Sequence, residues 1–187
     1  MIYLASKNAH KALELERLLG SGVTPLRGYE PPVEDGDSFV ANARIKALAG
    51  AAVAPPGATV VADDSGIVVE ALDGAPGIHS ARYGGDGLDD AGRVTHLLQE
   101  LGDATDRRAS FVCVLVAIAA DGSELVAEGR VEGTIAAAPS GTSGFGYDPI
   151  FVPEGEARTI GEMPAAEKDA LSHRGRAAAV LRVALGR

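Results

Sequence analysis

Apolar and polar positions along this chain fall into blocks whose period switches between that of a strand and that of a helix. Residues 1–5 form a short apolar run of strand length. Ser6-Lys7-Asn8-Ala9-His10-Lys11 then leads into residues 12–19, which have helical apolar spacing and stop at Gly20. Residues 23–36 hold Pro25, Pro31 and Pro32 among several acids and read as a short strand and a loop. Asp37 or Ser38 caps a helix predicted to run to about Ala54, where Pro55-Pro56-Gly57 stops it. The run 58–61 reads as a buried strand that ends at Ala62-Asp63-Asp64-Ser65-Gly66, where a turn begins, before the apolar Ile67-Val68-Val69. Residues 72–85 are too rich in glycine and proline for a regular element, and so long a structureless stretch is usually functional or flexible.

Asp89 or Asp90 starts a helix that carries Val94, Leu97, Leu98 and Leu101. Residues 109–119 form a long apolar strand, Asp121-Gly122 is a hairpin turn, and residues 124–135 alternate as the return strand. That ribbon predicts an antiparallel pair within a mixed sheet. Residues 140–151 are a loop of glycines and aromatics, and residues 164–171 make a helical turn. Ser172 caps a terminal helix with Ala178, Leu181 and Leu185 on one stripe.

The 187 residues make one domain, or two small lobes sharing a core. A hydrophobic share of 46% excludes a disordered chain. No apolar run approaches the roughly 20 residues of a membrane span. The N-terminus has no basic region ahead of its apolar run, so no signal peptide is expected and a cytoplasmic location is. The single cysteine, Cys113, excludes an internal disulfide and reads as a small buried hydrophobe. The net charge of −9 argues against nucleic acid or an acidic membrane as a partner. Only four of the seventeen basic residues are lysines: Lys7, Lys11, Lys46 and Lys168. A few cations gathered in one place still suffice to capture a small polyanion.

The central stretch is Asp63-Asp64-Ser65-Gly66. Neighbouring strand residues face opposite ways, so one aspartate is expected to face a cleft and the other to hold the turn. The cleft position falls to Asp64. A carboxylate, a hydroxyl and backbone N–H groups suit a metal-dependent reaction on an anion, and equally suit an Asx turn with two solvated acids. Residues 6–11 read as a strand-to-helix turn that offers N–H groups to a phosphate, or as an ordinary capped helix. Asn42 and Lys46 lie four apart on one helix face, expected to be solvated rather than to line a cleft. Arg82 and Tyr83 could close over a ligand. Phe145 and Tyr147 offer rings to stack on a flat ligand, with Phe145 and Phe151 equally suited to a core. His173 and Arg174 offer directional donors, or an exposed charged first turn.

In order along the chain, Ser6 to Lys11, Ala62 to Gly66, Gly74 to Tyr83, Gly144 to Phe151, Glu167-Lys168 and Ser172-His173-Arg174-Gly175 resemble the inosine triphosphatase (HAM1-like) family from end to end. The resemblance implies an α/β fold with a long mixed β-sheet, flanking helices and two lobes around a central cleft, forming one domain over residues 1–187. It implies a homodimer and Mg²⁺-dependent hydrolysis of ITP, dITP and XTP to the monophosphate and pyrophosphate. Ser6, Lys7, Asn8, Ala9, His10 and Lys11 match the phosphate-binding loop. Asp64 matches the residue that holds Mg²⁺ and activates water, with Asp63 as an alternate ligand. Ser65 matches a substrate contact. Phe145, Gly146, Tyr147 and Asp148 match the base-binding stretch, and Lys168, His173 and Arg174 match contacts to base or phosphate.

Two departures stand out. Ser6-Lys7-Asn8 replaces a usual Thr-Gly-Asn, adding a cation. Ala41, in Phe39-Val40-Ala41-Asn42-Ala43, stands where the family often has a glutamate ligand, which predicts weaker metal affinity. Alternatives are a pyrophosphatase for modified pyrimidine nucleotides, a nucleotide-binding regulatory module that has lost catalysis, and an RNA-binding α/β domain, the last disfavoured by charge.

Overall fold

A computed structural model describes residues 1–20, 22–85 and 87–186. A six-stranded mixed sheet has the order β2-β1-β3-β4-β5-β6. Its strands are β1 (Ile2–Leu4), β2 (Val23–Pro25), β3 (Thr59–Val69), β4 (Arg108–Ile118), β5 (Glu124–Ile135) and β6 (Phe151–Pro153). The helices are α1 (Ala9–Leu19), α2 (Phe39–Ala51), α3 (Asp90–Leu101), α4 (Ala165–Leu171) and α5 (His173–Ala184). β1 runs parallel to both β2 and β3, while β5 runs antiparallel to β6. A tight turn, in which Gly122 N donates to Ala119 O and Ala119 N to Ser123 O, joins the adjacent β4 and β5 where Asp121-Gly122 predicts it. Among the described residues no helix is long and apolar enough to cross a membrane.

The chain divides into two compact units. The first comprises residues 1–64, 113–129 and 173–187. Its core joins Leu4, Leu15, Val61, Leu115, Ala178 and Leu181. Cys113 is buried in it and unoxidised, and burial pushes its thiol up to about 12. β5 and α5 meet closely here, since a Cβ on Gly129 would lie 2.0 Å from His173 O. The second unit comprises residues 65–112 and 130–172, with a core that includes Ile67, Leu97, Phe111, Ile150, Phe151 and Met163. Phe111 and Phe151 stack at 4.6 Å between ring centroids, so Phe151 is a core residue.

Three expectations from the sequence need correction. No turn begins at residues 62–66: β3 continues unbroken from Thr59 to Val69. α2 ends at Ala51 rather than Ala54. Residues 72–85 are not without regular structure, for 3-10 turns form at Glu70–Leu72 and Gly77–Arg82. Tyr83 and Arg82 are engaged within that neighbourhood, Tyr83 against the His96 ring at 5.0 Å and Arg82 with His79 Nδ1 at 2.9 Å.

Candidate active site

In the first unit, β3 carries two buried carboxylates side by side. Asp63 is 3% exposed and Asp64 5% exposed. A strand sends neighbouring side chains to opposite faces, and the two find different cations. Asp63 Oδ2 meets Lys11 Nζ at 2.9 Å and Arg174 Nη2 at 3.8 Å. Asp64 Oδ1 meets Lys46 Nζ at 3.3 Å. Neither aspartate holds a turn.

Helix capping explains why Lys11 reaches Asp63. The Asn8 side chain accepts from Lys11 N at 3.1 Å, so α1 begins at Ala9 and not beyond Lys11. Asn8 N in turn donates to Ser6 Oγ at 3.2 Å. Ala9, His10 and Lys11 thus occupy a helix first turn, whose N–H groups and dipole favour an anion. Lys7 remains at the surface, paired with Glu30 at 2.5 Å.

Arg174 is 1% exposed and His173 4% exposed, so the start of α5 is not an exposed charged turn. The Arg174 guanidinium is held by Glu14 from α1 as well as by Asp63. Burial works against its charge, and Asp63 and Glu14 more than compensate, holding its pKa above the ordinary arginine value. Burial likewise raises the Asp63 carboxyl, but Lys11, Arg174 and Lys46 together reverse that and leave it well below the ordinary range. Lys11, Asp63, Arg174 and Glu14 form a buried chain of ion pairs, with Asp63 joining the two cations.

Asp64 differs. Burial dominates there and raises its pKa, despite Lys46 and Lys11, with Glu34 and Asp63 adding in the same direction. Its Oδ2 is buried and has no hydrogen-bond partner. Lys46 also reaches Glu34 Oε2 at 3.1 Å. Burial opposes the Lys46 charge, but Asp63, Asp64 and Glu34 prevail and raise its pKa, so it is a firm cation.

The face of α2 that carries Asn42 and Lys46 is buried rather than solvated: Asn42 is 0% and Lys46 8% exposed. The loop before α2 folds back over it. Gly36 N donates to Asn42 Oδ1 at 2.9 Å, and Ser38 caps the helix at Ala41 N. That loop delivers Glu34, which sequence reasoning missed among the acids and prolines of residues 23–36. The only signal was its proximity to the capping position.

In the second unit the aromatic loop is built around Asp148. Its Oδ2 accepts from Phe145 N at 2.8 Å and from Lys168 Nζ at 2.6 Å. Lys168 Nζ lies 4.6 Å from the Phe145 ring centroid, a cation–π contact. Gly144 has φ of +76°, and a Cβ there would lie 2.0 Å from Asp148 Oδ2. Only glycine lets the backbone wrap the carboxylate this closely. Gly146 N donates to Asp90 Oδ2 at 2.7 Å, and the Tyr147 hydroxyl to Ser80 O at 2.9 Å. Tyr147 is thus 5% exposed and anchors the loop, leaving Phe145 as its half-buried ring. Ser65 is half-buried on β3.

Among the described residues no three His, Cys, Asp or Glu side chains cluster as a metal site. The donor set is one orphaned carboxylate oxygen on Asp64, with Glu34 sharing its lysine. That set fits Mg²⁺, which is bound through one or two carboxylates and completes its shell with water and phosphate oxygens.

The chain matches the Ham1 family model over residues 2–184. It is 48% identical to a dITP/XTP pyrophosphatase of Mycobacteroides abscessus, over 96% of this chain and 92% of that one. It is 46% identical to a dITP/XTP pyrophosphatase of Streptomyces coelicolor, covering 94% and 92%. The solved HAM1 protein from Coxiella burnetii superposes with a TM-score of 0.87 at 40% identity, covering 99% of this chain and 98% of that one. The Ham1 protein of Staphylococcus aureus gives 0.87 at 37% identity, covering 99% and 97%. With matches of this coverage to sequence and fold alike, the chain belongs to the Ham1 family.

Proposed function

We propose that this protein is a nucleoside triphosphate pyrophosphatase that hydrolyses the non-standard purine nucleotides ITP, dITP and XTP to the monophosphate and pyrophosphate, with Mg²⁺ as cofactor. Its relatives named dITP/XTP pyrophosphatase support the substrate class. The observation that carries the chemistry is Asp64 Oδ2, a buried carboxylate oxygen without a hydrogen-bond partner beside the Lys46 cation. Leaving such a group unmet costs about 1–3 kcal/mol or more, a cost borne where a ligand completes it.

Hydrolysis of a phosphoanhydride is chiefly a matter of positioning and charge. Asp64 and Glu34 would hold the metal, which supplies a Lewis acid that acidifies water and shields the phosphates. Asp64 would also accept the proton of the attacking water, as the carboxylate beside the metal. Lys46 keeps Asp64 and Glu34 in register. Lys7 and the first turn of α1, with Lys11 steered by Asp63, receive phosphate oxygens. Arg174 fixes Asp63, so its role is positioning, and His173 beside it at the start of α5 contacts substrate.

The Asp148–Lys168–Phe145 cluster takes the purine. Phe145 stacks on the base, and Lys168 faces its six-position oxygen. A pocket built around that bond rejects a base lacking the oxygen by a factor of up to roughly 10⁴. The same reading expects a homodimer in the cytoplasm. The test is Mg²⁺-dependent pyrophosphate release from ITP, dITP and XTP, set against ATP, GTP and modified dUTP. The reading predicts pyrophosphate from the first three and little from ATP or modified dUTP, whose bases lack the six-oxo purine edge; GTP, which shares that edge, tests the two-position instead.

A further inference from the structure

Residues 26–38 join β2 to α2 without a regular element of their own. They are nonetheless tied down within the first unit. Leu26 N donates to Leu4 O at 2.9 Å, and Glu30 pairs with Lys7. Glu34 accepts from Lys46, and Gly36 N donates to Asn42 Oδ1. Within this strap Gly28, at φ +73°, turns the chain so that Tyr29 enters the interior. Tyr29 is 4% exposed between exposed neighbours.

Its hydroxyl is buried and has no hydrogen-bond partner among the described residues. The charged groups that act on it are Lys46, Glu34 and Asp63. Asn42 Nδ2, one turn of α2 from Lys46, is a second buried atom without a partner, and its orientation is fixed because Oδ1 receives Gly36 N. A phenylalanine at position 29 would fill the same volume without an unmet dipole. A hydroxyl and an amide N–H₂ are both donors, and Lys46, which acts on the hydroxyl and lies one turn of α2 from Asn42, is an ammonium. Donors of this kind suit an anionic oxygen.

We propose that the Tyr29 hydroxyl is a substrate-contacting group, donating to a non-bridging oxygen of the substrate's polyphosphate beside Lys46. The proposal rests on the pyrophosphatase reading above and adds a residue to it. The contact acts on the bound ground state and the transition state alike, so its loss appears in KM and not in kcat.

The test is Tyr29→Phe, which removes one atom. Unliganded Tyr29→Phe is expected to be as thermally stable as the wild type or more so. Its KM for ITP is expected to rise about tenfold with kcat nearly unchanged. The rise in Tm given by Mg²⁺ with inorganic pyrophosphate is expected to shrink. An unchanged KM and an unchanged pyrophosphate response overturn the proposal and make the hydroxyl a structural dipole. A loss of unliganded stability equal with and without pyrophosphate overturns it too.

A second measurement needs no variant of Tyr29 to fold. In wild-type protein carrying ¹³Cζ-tyrosine, the Tyr29 signal is assigned by Phe replacements at Tyr3, Tyr83 and Tyr147. That signal is expected to shift on adding pyrophosphate, and its constancy overturns the proposal. If the wild type releases no pyrophosphate from ITP, the functional reading fails, while the pyrophosphate shift still decides whether Tyr29 meets a phosphate.

Discussion

Asp63 and Asp64 are consecutive residues of β3, both buried, yet Asp63 is clasped by Lys11 and Arg174 while Asp64 pairs with Lys46 and, among the described residues, keeps one oxygen unmet. The strand's alternation separates them into a carboxylate held by two cations and one that, on the proposed reading, does the chemistry. Each has a distinct consequence.

Asp63 predicts an acid-sensitive fold. Burial raises its pKa, but Lys11, Arg174 and Lys46 reverse this and hold it far below its ordinary 3.8. A depressed folded-state pKa contributes stability that is full above about pH 5 and is lost as pH falls below the unfolded-state value. Asp63→Asn removes the carboxylate that meets Lys11 at 2.9 Å and takes one of two carboxylates from the buried Arg174, and is expected to cost about 3–5 kcal/mol at pH 7. In urea unfolding, the gap between wild type and Asp63→Asn should narrow as pH drops from 5 towards 3. A gap independent of pH would refute the network.

The Asn42–Gly36 contact predicts a role for a residue with no side chain. A Cβ on Gly36 would lie 2.7 Å from Ala41 Cβ and 2.8 Å from Asn42 Oδ1. Gly36→Ala is expected to lift the loop, at a cost of about 1–3 kcal/mol, and to part Glu34 from Lys46. The Mg²⁺ concentration for half-maximal activity should then rise. An unchanged Mg²⁺ titration would show that Glu34 is not needed.

Much of the fold was legible in the hydrophobic period. β1, α3 and the β4–β5 ribbon are read directly from it, because each buries one face or a continuous run. β3 was not, since two aspartates in mid-strand look like its end. They are tolerated there because cations arrive from distant segments, Arg174 being more than a hundred residues away. The same non-local packing hid Lys46 and Asn42. An amphipathic helix with polar residues on one face looks solvated until a loop such as residues 26–38 covers that face. Arg174 looked exposed for the same reason, since Glu14 on α1 is what admits its guanidinium to the interior.

Asp148 predicts a separable effect on base binding. Its Oδ2 holds both Phe145 N and Lys168 Nζ, and Lys168 is 3% exposed. Asp148→Asn removes the carboxylate that meets a buried ammonium at 2.6 Å and is expected to destabilise the protein by about 3–5 kcal/mol. KM for ITP should rise more than kcat falls, because the Phe145 ring loses its support. Steady-state kinetics with ITP checks this. Equal KM in the variant would mean that the loop does not receive the base.

The central claim is that Asp64 is the carboxylate on which Mg²⁺-dependent hydrolysis turns. The direct measurement is pyrophosphate release from ITP by wild type and Asp64→Asn over a range of Mg²⁺, with urea unfolding in parallel. Lys46 keeps Glu34 as a partner in the variant, so the fold is expected to persist. Turnover is expected to fall by roughly a hundredfold or more. A folded Asp64→Asn protein that releases pyrophosphate at close to the wild-type rate would contradict the account.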